Sequence, residues 1–194
     1  MLKVGITGGI GAGKSVVCRV FTTLGIPVFD ADSAAKMLME KDEAVKAGIS
    51  ALFGSSIYAG DKLDREQLAA MVFAQPLLLQ QLNAIVHPAT IEYGRKWMAA
   101  QTAPYAIKEA AILFESGSHK EMDLVIGVFA PPELRMKRVI ERPGMTREKV
   151  LQRMANQMSD EEKIKLCDYI ITNDGVQALI PQVVALHKTI LARS

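Results

Sequence analysis

Cysteine is nearly absent: Cys18 and Cys167 are the only two in 194 residues. They stand far apart, without a Cys-x-x-Cys pair or a Cys/His cluster, which excludes a disulfide framework and a zinc-ligand set and points to a reducing compartment. Charge of one sign is also lacking. Twenty-three Lys and Arg against 21 Asp and Glu leave a formal charge of +2, too mild for a wholesale nucleic-acid or membrane-surface binder. No long hydrophobic run is present. The uncharged stretch from Gln67 to Ile91 contains Gln75, Pro76, Gln80, Gln81, Asn83, His87 and Pro88, which are costly in lipid, so it reads as packed helices. The N-terminus lacks the apolar core and cleavage site of a secretion signal, and a cytoplasmic protein is expected. Repeats and low-complexity tracts are missing too.

What is present is the composition of a soluble α/β domain: 49% hydrophobic, 23% charged and 6% aromatic residues, in a chain long enough for one well-buried core. Short apolar runs alternate with helical patterns, as in a parallel sheet covered by helices. Strands are expected at Leu2 to Thr7, Pro27 to Phe29, Ala106 to Phe114, Leu124 to Phe129 and Tyr169 to Ile171. Helices are expected at Lys14 to Leu24 and Pro132 to Glu141, with a closing helix between Gly175 and Arg193 that Pro181 starts or kinks. From Ala31 to Pro104 the pattern is helical with no convincing strand. Within it Asp64 is a candidate N-cap with Gln67 as its capping-box partner, Pro76 marks a break, and His87-Pro88 marks another.

The strongest local signal is Gly8-Gly-Ile-Gly-Ala-Gly-Lys-Ser15, a full match to the G-x-x-x-x-G-K-[ST] phosphate loop, set between a strand and a helix as that loop requires. Gly8, Gly9, Ile10, Gly11, Ala12 and Gly13 let the backbone wrap a phosphate. Amides up to Ser15 then point inward, with the helix dipole behind them and Val16 completing the first turn. Lys14 is placed to neutralise the β- and γ-phosphates, and Ser15 to offer its hydroxyl to Mg²⁺. An Asn-Lys-x-Asp guanine-reading motif is missing, since Thr172-Asn-Asp-Gly175 lacks the lysine. A small kinase is favoured by size and by the helical segment, which suits an acceptor site. A nucleotide-dependent switch without an acceptor stays open.

Asp30-Ala-Asp-Ser33 lies where a strand ends and a helix begins. Carboxyl ends of strands face the ligand crevice in such sheets, so Asp32 is a candidate to approach an acceptor hydroxyl. The competing reading is that Asp32 or Asp30 caps a helix from Ser33 to Leu38. Between Arg135 and Arg153 seven basic residues face only Glu141 and Glu148. Arg135, Arg138 and Arg142 share one helix face, Pro143-Gly144 interrupts it, and Met145 to Glu148 reads as a new start, which describes a helix-turn-helix lid. Arg142 and Arg138 are read as bringing charge to the transferred phosphoryl, whereas Arg135, Arg147 and Lys149 are read as surface.

These residues occur in order: Ile6 to Ser15, Asp30-Ala-Asp32, His87-Pro88, Ile112-Leu-Phe-Glu115, Arg138 and Arg142, Arg153 to Gln157, and Asp168 to Asn173. Over essentially its full length the chain resembles dephospho-coenzyme A kinases. The resemblance implies a phosphate-loop kinase fold in one domain spanning 1–194: a five-stranded parallel sheet flanked by helices, a helical acceptor-binding insertion at 31–104 and a lid at 134–158. It implies ATP-dependent phosphorylation of the 3′-hydroxyl of dephospho-coenzyme A, with ATP and Mg²⁺ as cofactors, Asp32 acting on the acceptor hydroxyl, and His87 and Glu115 at the acceptor site. No nucleic-acid or membrane partner is expected, and the chain is expected to be a monomer. Two competing readings stand beside the acceptor one: His87 as a helix-boundary residue and Glu115 as a helix cap. The departure lies at Ala111, where the family carries proline, and at Lys108 and Glu109, charged residues in a strand expected to be buried, which demand partners or a site role.

Overall fold

In the computed structural model, residues 1–155 and 157–194 are described, apart from the side chains of Phe73, Ala74 and Arg153. In chain order the elements are β1 (Leu2–Thr7), α1 (Lys14–Thr23), β2 (Val28–Asp30), α2 (Ala31–Lys41), α3 (Glu43–Phe53), β3 (Tyr58–Ala59), β4 (Lys62–Leu63), α4 (Arg65–Ala74), α5 (Pro76–Ala99), β5 (Tyr105–Glu109), β6 (Leu124–Phe129), α6 (Pro132–Ile140), α7 (Arg147–Ala155), α8 (Asp160–Leu166), β7 (Tyr169–Thr172) and α9 (Leu179–Leu191). The chain divides into two compact units, Met1–Asp30 with Met98–Ser194, and Ala31–Trp97.

The first unit is built on a five-stranded sheet in the order β2-β5-β1-β6-β7, with every neighbouring pair parallel. Its strands read as nearly continuous apolar runs because helices cover a parallel sheet on both faces. Val4, Ile6, Tyr105, Ile107, Ile126, Val128 and Ile171 form the core with Val17 and Phe21 of α1 and Val183, Leu186 and Ile190 of α9. Phe21 meets the Tyr105 ring edge-on at 6.4 Å. The Tyr105 hydroxyl finds its partner in His187 Nδ1 at 2.6 Å, so this buried polar end costs little. Central β1 delivers its carboxyl end where chain connections leave to opposite sides, the position at which such sheets bind ligands. Pro181 sits in the first turn of α9, where its missing N–H would be unpaired in any case.

One expectation for this unit is revised. The third long apolar run stops being a strand at Glu109 rather than Phe114: Ala110 N–H makes the last bond to Ile6 O, and the chain then turns, with Ser116 N–H on Ile112 O and Gly117 N–H on Phe114 O. Leu113 and Phe114 are buried all the same, so the apolar signal there recorded burial and not extension. Lys108 and Glu109 are both buried in β5.

The second unit packs Val45, Ile49 and Phe53 of α3 against Leu68, Val72, Leu82 and Val86. Asp42 accepts Val45 N–H at 3.0 Å, and Asp64 accepts Gln67 N–H at 2.9 Å, so α3 and α4 start at aspartate caps. The segment expected to hold no strand contains the two-residue antiparallel pair of β3 and β4. The break expected at His87-Pro88 does not occur either. Helix α5 runs through Pro88, although proline removes one backbone donor and costs a helix interior about 3 kcal/mol. Burial of Leu82 and Val86 in the turns just before Pro88 offsets that cost at ~1.5–3 kcal/mol each.

Candidate active site

The phosphate loop follows from its residues one by one. Gly13, just ahead of α1, has φ 97, a left-handed geometry in which a side chain is strained, and a Cβ there would overlap the Asn173 side-chain nitrogen. Among the described residues no side chain caps α1, so its first amides and its positive dipole end are left for an anion. Lys14 is only 9% exposed. Its ammonium donates to Gly8 O at 3.1 Å and so spans the loop from helix to strand. Ser15 and Val16 are exposed in the first turn.

Behind the loop lies an acidic pair. Asp30 and Glu109 are register partners at the carboxyl ends of β2 and β5, and Glu109 is also opposite Ile6 of β1. The thiol of Cys18 is buried in the core beside them. Burial pushes that thiol far up, Glu109 pushes it further, and Lys14 pulls it back. Cys18 is therefore an inert core thiol, and its surroundings bring Glu109, Asp30 and Lys14 to one end of the sheet. Among the described residues no group of three or more His, Cys, Asp or Glu forms a metal cage. The hard oxygen donors present, an exposed serine hydroxyl and nearby carboxylates, suit Mg²⁺ held partly by phosphates and water.

The segment that the sequence reading takes as a lid is α6, a turn containing Pro143-Gly144, and α7. Thr146 Oγ1 accepts Lys149 N–H at 3.3 Å at the start of α7, which matches the expected restart. Its three arginines separate. Arg138 donates to Asn173 O at 3.1 Å, and Asn173 Nδ2 donates to Ala12 O at 2.8 Å, so α6 reaches the loop through one asparagine. Arg142 is exposed. Arg135, read from sequence as surface, is 4% exposed and paired with Asp160. Helical spacing put Arg135 on the face of Arg138 and Arg142, but the residues that bury it come from α8 and the loop, far away in sequence. Arg147 and Lys149 are exposed as expected.

Glu115 lies in the turn after β5, where its Oε1 accepts Met158 N–H at 2.8 Å and pairs with Lys163 at 3.0 Å. Asp32 and His87 belong to the second unit. Asp32 is an exposed second residue of α2, which starts at Ala31 and not at Ser33, so it is not the cap. Its carboxylate still favours the helix's positive end. His87 is half-buried within α5, and desolvation pulls its imidazole below the ordinary value. Of the run Arg153 to Gln157, Asn156 and the Arg153 side chain lie outside the described residues. Sequence reading includes Gln157 in the run Arg153 to Gln157 without assigning it a role, and misses Asp160 and Lys163. The one available signal was the capping box of Ser159 and Glu162, which fixes Asp160 as the first residue of a helix.

The sequence profile of the family described as "CoaE: Dephospho-CoA kinase" matches residues 2–178. The chain belongs to the dephospho-CoA kinase family. A dephospho-CoA kinase of Bacteroides fragilis is 39% identical over 186 residues, covering 95% of this chain and 91% of that one. The crystal structure of TT1252 from Thermus thermophilus is similar at a TM-score of 0.84 and 34% identity, covering 99% and 97% of the two chains. The dephospho-CoA kinase from Campylobacter jejuni is similar at 0.70 and 25%, covering 98% of each. The sheet, loop and helices of the first unit are thus those of a phosphate-loop kinase, and the chain is an enzyme of the last step of coenzyme A biosynthesis.

Proposed function

We propose that the chain transfers the γ-phosphoryl group of ATP to the ribose 3′-hydroxyl of dephospho-CoA, and that the residues carried over from the family act as follows. The acceptor oxygen forms a bond to phosphorus, the β–γ bridging bond breaks, and the hydroxyl proton passes to the Asp32 carboxylate. An aspartate is a weak base, but the loose transition state of phosphoryl transfer asks chiefly for a positioned hydroxyl. Lys14 and the loop amides hold the phosphates that become ADP. Arg142, exposed and free to move, and Arg138 bring positive charge to the oxygens of the migrating group. Mg²⁺, when bound, neutralises charge on the β- and γ-phosphates. The Ser15 hydroxyl would hold it, with Glu109 acting through water.

One observation carries this reading. Lys14 is fixed across a glycine-built loop whose helix N-terminus is uncapped, at the carboxyl end of the central strand. Residues 31–104 serve in this reading as the acceptor-binding insertion, with His87 and Glu115 as acceptor contacts, and 134–158 as the lid. The reading takes the chain as a cytoplasmic enzyme acting on small molecules; no helix among the described residues is long and apolar enough to cross a membrane. The proposal further takes the chain as a monomer. The decisive experiment measures ADP release with dephospho-CoA beside a panel of nucleoside monophosphates and sugars, with and without Mg²⁺, and identifies the phosphorylated hydroxyl. Release that is confined to dephospho-CoA and needs Mg²⁺ is expected. Release with another acceptor, or phosphate on another hydroxyl, overturns the assignment.

A further inference from the structure

The mechanism above leaves one buried cation beside the phosphate loop without a task. Arg135 pairs with Asp160, and its Nε finds no partner among the described residues. A guanidinium buried with a donor unfilled is poorly explained by stability, because desolvating the charge costs more than a single carboxylate returns. What Arg135 touches is the loop. A Cβ on Gly9 would overlap its guanidinium and lie 2.8 Å from Asp160 Oδ1, and a Cβ on Gly11 would lie 2.6 Å from the Arg135 carbonyl. Glycine is needed at position 9 for this close approach.

The same limb of the loop is held from the segment that follows the lid. Gln157 Oε1 accepts the Ile10 N–H at 3.2 Å. Met158 N–H donates to Glu115, and Asp160 holds Arg135. Buried Lys163 then donates to Ala111 O at 2.8 Å and pairs with Glu115 at 3.0 Å. Residues 157–163 therefore form a strap pinned to the loop, to α6 and to the turn after β5.

We propose that Arg135 is a positioning residue for nucleotide binding: held by Asp160 against Gly9, it sets the shape of the Gly9–Ile10 limb and ties that shape to the strap at the end of the lid. The inference rests on the kinase reading above. Loop amides act on phosphate only in the right place, and a displacement of about 1 Å can cost on the order of 100-fold in rate. A cation pressed on Gly9 and a glutamine on the next amide are the chain's means of fixing that place.

The test is ADP affinity by calorimetry, beside steady-state kinetics and melting temperature. Arg135→Gln and Asp160→Asn are each expected to weaken ADP about 10-fold and to raise KM for ATP similarly, while KM for the acceptor stays within about twofold. The double variant is expected to be no worse than either single one, because the two side chains act as a unit. Arg135→Lys keeps the charge and is expected to regain part of the affinity. Gln157→Ala removes one hydrogen bond at the strap's edge. It is expected to weaken ADP about threefold at unchanged melting temperature, which keeps the inference testable should the buried variants not fold. Wild-type ADP affinity in Gln157→Ala and in folded Arg135→Gln, with only melting lowered in the latter, makes Arg135 a structural cation and overturns the inference. A wild-type chain that binds ADP but phosphorylates no acceptor overturns the kinase reading instead and leaves the affinity comparison standing.

Discussion

The phosphate loop and the arginine-rich segment proposed as a lid are both glycine- or arginine-marked stretches of the first unit, yet they are specified in opposite ways. The loop is eight consecutive residues whose backbone does the work, with Gly13 at a positive φ and Lys14 bonded back to Gly8. That segment carries three arginines that helical spacing predicts on one face; α6 ends at Ile140, and they end up buried against Gly9, half-buried on Asn173, and exposed beyond the helix. A contiguous motif carries its own geometry. A helical face carries only direction, and the neighbours decide which member becomes structural and which stays free to meet a substrate.

The sharpest way to break the contrast is Lys14→Ala. Turnover is expected to fall by on the order of 10³-fold or more, since the variant removes a preorganised charge from the site of transfer. Retained ADP release would remove the loop from the chemistry. Arg142→Ala comes next, with kcat expected to fall about 10- to 100-fold while the melting temperature stays within about 2 °C, because an exposed arginine contributes little to stability. A melting temperature lowered at normal kcat would make Arg142 a structural residue and remove it from the chemistry.

Gly13→Ala tests the backbone side of the comparison. Strain at φ 97 and the overlap with Asn173 are expected to cost about 1–3 kcal/mol in a urea titration, and an unchanged midpoint would show that the loop tolerates a side chain there. The smallest effect is in the strap. The Ser159 hydroxyl, then its amide, hold the Glu162 carboxyl below its ordinary value of 4.5. A carboxylate depressed in the folded state contributes stability above its unfolded value and loses it as pH falls through the lower, folded one. Protection of the α8 amides, taken relative to their intrinsic exchange rate at each pH, is therefore expected to fall below about pH 4.5, and Ser159→Ala to shrink that dependence; identical protection profiles in the two proteins would discount the cap.

Much of the first unit was legible because parallel strands and their covering helices are written as apolar runs and 3.6-residue spacing. Leu2 to Thr7 and Leu124 to Phe129 are strands with the expected bounds. The run ending at Phe114 was read too long, since burial of Leu113 and Phe114 in a turn leaves the same apolar mark as a strand. Pro88 was read as a boundary because proline's local preference is strong, and the packing of Leu82 and Val86 overrode it. In the candidate site, Lys14 and the glycines were readable. The roles of Gln157, Asp160 and Lys163 were not, since each acts on a partner brought near only by the fold.

By itself, then, the sequence determined the loop, the sheet's strands and the family, because those depend on residues adjacent or regularly spaced along the chain. Only the tertiary structure decided that Arg135 is buried while Arg142 is exposed, that α5 passes through Pro88, and that residues 157–163 hold Ile10 and Arg135. The physical reason is burial: whether a charge, a proline or a glycine is tolerated depends on which atoms surround it, and here those atoms come from distant parts of the chain.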